Sequence, residues 1–231
     1  MDWCQPIDIY CERHGPGFWG EPLNAWSNAA FWIAAALTVP ALRRAGRRLG
    51  GRPAGGWELA LLTGLLLGIG AGSFLFHTFA VSWAGTVDVG MIVLWIAWFL
   101  WVYGRRVLRR PGWAVALGII AMFTASVLAT RLTESFLGSY APVLAVLAGL
   151  GVAAWRADRP AHQLLLIAAG VFTLSMTAAA LDGPLCPVLP TGTHFIWHLL
   201  NATTLALCTF ALAHQTRPGD PHAAPPPESS S

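Results

Sequence analysis

The sequence contains no lysine, and all 14 of its basic residues are arginine. A retinal pigment needs a lysine for its Schiff base, so this class of seven-helix protein is excluded. Charge of either sign is scarce: 11% of the 231 residues are charged, whereas soluble domains carry about 25%. We therefore expect an integral, multi-pass, all-α membrane protein. We expect neither a nucleic acid nor a protein partner.

Seven apolar stretches are long enough to cross a bilayer, whose hydrocarbon core needs roughly 20 apolar residues. Tryptophans flank most of them, as is typical of the membrane interface. The predicted spans are Trp26–Leu42, Trp57–Phe79, Trp83–Tyr103, Trp113–Thr130, Ser139–Trp155, Gln163–Leu181 and His194–Ala213.

The arginines are distributed unevenly between the connecting loops. Twelve of the 14 follow the first, third, fifth and seventh spans, and only Arg13 and Arg131 lie on the other side. Because positive residues favour the cytoplasmic side, we predict an outside N-terminus and a cytoplasmic C-terminus. The arginine usage and short loops favour a bacterial cytoplasmic membrane.

This topology divides the chain into three parts. Residues 1–23 form an extracytoplasmic segment, which is polar and does not resemble a cleavable signal peptide. Residues 24–215 form the seven-span domain. Residues 216–231, rich in proline, alanine and serine, are expected to be a disordered cytoplasmic tail.

Polar side chains converge at one depth in this topology. His194 and His198 are four residues apart at the outer start of the last span, so they share one helix face. His77 ends the second span and Asp88 begins the third, both near the outer face. Three histidines with an open position are typical of catalytic zinc. Asp88 would take a proton or orient the water, and Ser73, one turn from His77, would bind the water or the oxyanion.

Three polar residues share one helix face at the outer end of the first helix. They are Asn24, Ser27 and Asn28, at spacings of three and four. Such residues can cap the helix and form interhelical hydrogen bonds, or they can line a polar cavity.

The N-terminal segment carries four acidic residues, which are Asp2, Asp8, Glu12 and Glu21. They can be solvated carboxylates at the outer edge of the bundle, or they can form a site for a hard cation such as calcium.

The cysteines indicate one disulfide. Cys4, Cys11 and Cys186 lie on the outer side, where disulfides persist, whereas Cys208 lies within the last span. A bridge from the N-terminal segment to the loop before the last helix would hold that segment over the mouth of the bundle.

At these residues the chain resembles the alkaline ceramidase family, within a superfamily of seven-helix membrane hydrolases that includes the adiponectin receptors. The resemblance covers nearly all of residues 8–212. It is carried by an N-terminal Asp-…-Cys-Glu followed by Glu21–Asn28, by Ser73–His77 with Asp88, by Asp182 and Cys186, and by His194–His198.

The resemblance implies zinc held by His77, His194 and His198, with Ser73 and Asp88 around the catalytic water. It implies hydrolysis of the amide of a ceramide-like lipid to a fatty acid and a sphingoid base. Two rivals remain: a zinc-containing receptor of the adiponectin-receptor type, which has the opposite orientation, and a transporter or structural bundle without metal. A seven-helix enzyme with another lipid substrate is a further alternative.

The resemblance also implies calcium and a disulfide. The family motif is Asp-Trp-Cys-Glu-x-Asn, and this chain offers two partial matches, at residues 2–5 and 8–12. The second keeps the cysteine–glutamate pair and nearly the family distance to Glu21. It implies a Cys11–Cys186 bridge and the calcium ligands Asp8, Glu12 and Glu21, with His14 where an asparagine is expected.

Overall fold

The computed structural model describes residues 2–48, 56–154 and 159–215, and their regular secondary structure is entirely helical. The predicted tail 216–231 and the topology-determining Arg52, Arg156 and Arg217 lie outside these residues. The helices are α1 (Pro22–Ser27), α2 (Ala29–Arg48), α3 (Gly56–Phe79), α4 (Ser82–Val102), α5 (Gly112–Thr133), α6 (Ala141–Ala153), α7 (Arg159–Leu185) and α8 (His194–Gln215).

Within the part of the chain that the structure describes, six helical segments are long and apolar enough to cross a membrane. A π-helical turn, Tyr103–Val107, extends α4, and a 3₁₀ turn, Phe136–Tyr140, precedes α6. The segments are Trp57–Phe79, Ser82–Val107, Gly112–Thr133, Phe136–Ala153, Pro160–Leu185 and His194–His214. They match the second to seventh predicted spans, so the prediction of an all-helical fold with long apolar helices is confirmed.

The first predicted span, Trp26–Leu42, is divided between two helices. The short helix α1 ends at Ser27, and α2 begins at Ala29. The apolar part of α2 runs from Ala29 to Leu42 and is followed by arginine, so it is only about 21 Å long at 1.5 Å per residue. Accordingly, α2 is not one of the six membrane-crossing segments identified by length and composition.

Small residues line the contact between α7 and α8, which is the most extensive helix–helix contact among the described residues. In lipid, helices associate through close packing rather than through the hydrophobic effect, and small side chains allow their backbones to approach. The buried alanines of the two helices include Ala161, Ala168, Ala202, Ala206 and Ala211. This packing holds α8, which carries two of the predicted metal ligands, against the body of the bundle.

The N-terminal segment crosses one end of the bundle and pairs with the α3–α4 connection. The Ile7 amide donates to the Ala80 carbonyl over 2.7 Å, and the Ser82 amide donates to the Gln5 carbonyl over 3.0 Å. These backbone bonds fix the segment against the connection between the helices that carry His77 and Asp88.

A disulfide joins the same segment to the far end of the chain. Cys11 and Cys186 are bonded, with their Cα atoms 5.4 Å apart. The predicted pairing is thus confirmed, while Cys4 is free and exposed and Cys208 is free and buried. The bridge ties the N-terminal segment to the loop before α8.

Candidate metal centre

Three histidines from two helices meet beneath the N-terminal segment. His77 lies near the end of α3, and His194 and His198 lie one turn apart at the start of α8. One nitrogen from each ring lies within 4.8 Å of the others, and all three side chains are buried. Among the residues that the structure describes, this is the only group of its kind.

Glu21 sets the tautomer of His77. Its Oε2 lies 2.6 Å from His77 Nδ1. Burial acts to raise the pKa of Glu21, but His77, Arg13 and Asn24 outweigh burial and lower that pKa below its ordinary value. The carboxylate is therefore ionised and can only accept a hydrogen bond. Nδ1 of His77 therefore carries a proton, and in the neutral imidazole Nε2 presents a lone pair.

Ser27 sets the tautomer of His198. The Ser27 hydroxyl lies 2.7 Å from His198 Nδ1 and 2.8 Å from the Asn24 carbonyl oxygen. A hydroxyl has one proton, and the carbonyl can only accept, so Ser27 donates to Asn24 and accepts from His198. The Nε2 atom of His198 is therefore also unprotonated.

The two lone pairs point at each other. His77 Nε2 and His198 Nε2 are 3.2 Å apart, a repulsive arrangement unless a cation lies between them. Zinc–nitrogen bonds of 2.0–2.1 Å at a tetrahedral angle separate two donor atoms by about 3.3 Å. The separation of the His77 and His198 donor atoms therefore fits two ligands of a tetrahedral metal ion. Imidazole suits zinc, copper, iron and nickel, so the ligands alone do not select among these metals.

Asp182 positions the third histidine. Its Oδ1 accepts from the backbone amides of Thr193 over 2.7 Å and His194 over 2.9 Å, and its Oδ2 accepts from the Cys11 amide over 3.0 Å. A buried carboxylate thus holds the N-terminus of α8 and the N-terminal segment together. Gly192 has φ +61°, and a Cβ there would collide with Asp182 and Cys11.

Tyr10 covers the centre from above, and sequence reasoning missed it. Its ring stacks on His194 with centroids 3.8 Å apart and lies 5.0 Å from the ring of His77. Burial, followed by the nearby Asp88 carboxyl, raises the pKa of Tyr10 well above its ordinary value, so the phenol stays protonated. The one indication in the sequence was that Tyr10 directly precedes Cys11, which matches the cysteine of the family motif.

A cavity of about 750 Å³ adjoins the histidines. Both residues predicted to surround the catalytic water, Ser73 and Asp88, line it together with His194 and His198. The Oδ1 atom of Asp88 is buried and has no hydrogen-bond partner among the described residues. A Cβ on Gly72 would lie 3.3 Å from the Asp88 Cα atom, so this glycine allows α3 and α4 to approach closely beside the site.

The predicted calcium ligands do not come together. Glu12 accepts from the Leu23 amide over 2.6 Å and the Asn24 amide over 2.7 Å, at the start of α1. Glu21 is paired with Arg13 and His77, and Asp8 is exposed. The predicted calcium site therefore gains no support, and the residues present do not fit that ion.

Neither the models of known protein families nor the curated proteins match this sequence. The function is therefore inferred from the residues and their geometry. The features that an inference must explain are three histidines with converging ring nitrogens, a carboxyl group with one unpartnered oxygen and a largely apolar cavity.

Proposed function

We propose that this protein is a zinc-dependent intramembrane hydrolase that cleaves the amide bond of ceramide or a related N-acyl lipid. The products would be a fatty acid and a sphingoid base or other amine. The observation that carries the proposal is the 3.2 Å approach of the His77 and His198 Nε2 atoms at the edge of the cavity lined by Asp88. The resemblance to alkaline ceramidases supports the same chemistry.

We also propose that α1 and α2 together make the first of seven spans, with the N-terminus outside. Exposed arginines at the end of α4, Arg105 and Arg109 among them, support this orientation. Arg105 lies about 25 Å from Asp88 along the helix at 1.5 Å per residue. The centre would then open toward the outer face of a bacterial cytoplasmic membrane.

His77, His194 and His198 would hold the zinc ion. When bound, zinc supplies Lewis acidity, which polarises a carbonyl and lowers the pKa of water to about 7. His77 and His198 are uncharged in the tautomers derived above. The ion's positive charge would therefore remain available to the reaction.

Asp88 would act as the general base and then as the general acid. It accepts a proton as the oxygen of water adds to the amide carbon, and it returns that proton to nitrogen as the C–N bond breaks. The Ser73 hydroxyl would donate to the oxygen that develops negative charge. The unpartnered Oδ1 of Asp88 supports this assignment.

The cavity suits the apolar part of such a lipid. Its walls are largely apolar and come from the N-terminal segment, α3, α4, the 3₁₀ turn, α7 and α8. A smaller cavity of about 50 Å³ continues from it, and Ile92, Tyr140 and Asn201 line both. An acyl chain could therefore extend from the histidines into the middle of the bundle.

The test is to incubate purified protein with a panel of N-acyl lipids and identify released fatty acids and amines by mass spectrometry, while measuring bound zinc. We expect amide hydrolysis by the wild type and loss of both zinc and hydrolysis in H198A. The matched control is H14A, since His14 is exposed in the N-terminal segment. Full activity in folded H198A would refute the metal assignment.

A further inference from the structure

Arg13 lies inside the protein although the sequence places it in a polar segment. Its side chain is 4% exposed. Its Nε donates to Glu21 Oε1, its Nη1 to the Gly15 carbonyl over 3.2 Å, and its Nη2 to the His77 carbonyl over 3.1 Å. A buried charge is costly unless it is paired and hydrogen-bonded, and these three contacts meet that need.

These contacts connect Arg13 to a metal ligand by two routes. Glu21 uses Oε1 for Arg13 and Oε2 for the ring of His77. The backbone carbonyl of His77, in the last turn of α3, accepts from the same guanidinium. Carbonyls at the end of a helix carry partial negative charge. Arg13 therefore fixes both the partner of the His77 ring and the backbone that carries it.

The same contacts explain why the N-terminal carboxylates do not gather around a cation. The cationic partner of Glu21 is a guanidinium, and Glu12 is committed to backbone amides of α1. A planar guanidinium suits a carboxylate geometrically and keeps its charge at any physiological pH. The segment therefore already contains the positive charge that a bound ion would supply.

We propose that Arg13 is a positioning residue of the metal centre, acting through Glu21 on His77, and that its guanidinium makes the centre independent of calcium. This inference rests on the proposed zinc site, but not on the identity of the lipid substrate. Arg13 touches neither the reacting atoms nor the cavity.

The first measurement is zinc affinity, by competition with a zinc-binding dye, for purified wild type and R13Q. Partners of metal-bound histidines typically contribute about 10- to 100-fold in metal affinity, and we expect a loss of this size in R13Q. The matched control is R131Q, because Arg131 is exposed at the end of α5. Equal zinc affinity in R13Q and wild type would overturn the proposal.

A double-mutant cycle tests the route through Glu21. If Arg13 acts by holding Glu21, then R13Q should weaken zinc binding much less in the E21Q background than in the wild type. A purely structural arginine would give additive effects, and that result would overturn the proposed route. If R13Q does not fold, R13K replaces it, since lysine keeps the charge but loses the planar fork. We expect R13K to bind zinc more weakly than R131Q, and equal affinity would contradict the proposal.

The calcium arm repeats the wild-type titration in calcium-depleted buffer and with about 5 mM calcium, above the affinity range of weak calcium modules. We expect the same zinc affinity in both. Tighter zinc binding with calcium would overturn the claimed independence while leaving the hydrolase proposal intact. A wild type that binds no zinc in either buffer would overturn the metal centre and, with it, both proposals.

Discussion

The Nε2 atoms of His77 and His198 face each other across 3.2 Å, and neither carries a proton when both rings are neutral. This follows from the hydrogen bonds of the two Nδ1 atoms. The ionised Glu21 accepts from Nδ1 of His77. The Ser27 hydroxyl, which donates to the Asn24 carbonyl, accepts from Nδ1 of His198. The two acceptors come from the region around α1, and the two histidines come from α3 and α8. The centre therefore depends on three separate parts of the chain.

The wild-type protein should bind one metal ion per chain, and H77A should bind it at least about 100-fold more weakly, since loss of a ligand exceeds the effect of an outer partner. Metal analysis after dialysis measures this directly. H14A, which removes an exposed imidazole, should retain the wild-type content. Wild-type metal content in H77A would show that the ion is bound elsewhere.

Replacing Ser27 with alanine should weaken metal binding by about 10- to 100-fold, because His198 loses the acceptor that fixes its tautomer. Competition titration of zinc measures the change. S139A is the matched control, since the Ser139 hydroxyl only donates to the nearby Phe136 carbonyl. If S27A and S139A titrate alike, then Ser27 does not orient the ligand.

Asp88→Asn should keep the metal and lose turnover by about 10²- to 10⁴-fold, the usual contribution of a positioned acid or base. The amide keeps the size of the carboxyl but cannot take up the proton. Initial rates of fatty-acid release, together with zinc content, measure both effects. E134Q is the control, because Glu134 is exposed beyond the end of α5. Unchanged turnover in D88N would remove Asp88 from the mechanism.

Removing the disulfide by C186S should lower the free energy of unfolding by roughly 2–5 kcal/mol, since the bridge closes a long loop. It also holds the N-terminal segment, so zinc affinity should fall with stability. Thermal unfolding in detergent measures the first effect and zinc titration the second. C4S, which removes a free and exposed thiol, should change neither quantity. Wild-type zinc affinity in C186S would show that the other contacts of the segment are sufficient to hold it.

The long apolar runs were sufficient to predict six of the membrane-crossing helices, because each buries its own backbone hydrogen bonds and needs no information about its neighbours. The break at Asn28 was not predictable in this way. Asn28 lies within the first predicted span. The contacts of α1 with α3 and α8 cannot be inferred from the residues that neighbour Asn28 in the sequence.

The candidate ligands were predictable because histidines are expensive within a span and the arginines set their depth. Tyr10 and Arg13 carried no such signal, since aromatic and charged residues are ordinary in a polar segment. Glu21 was associated with calcium because acidic residues near one another suggest a cation. The structure instead pairs it with Arg13 and His77.

By itself, the sequence determined the class of protein, the helices and the three histidines, because these depend on composition and on spacing along one helix. Only the tertiary structure decided which nitrogens are free, which carboxylate faces a cavity and which cation balances Glu21. The reason is physical: proton positions and charge pairing depend on groups that are distant in the chain and meet only when the bundle packs. The His77–His198 approach is one such meeting, across 121 residues of sequence.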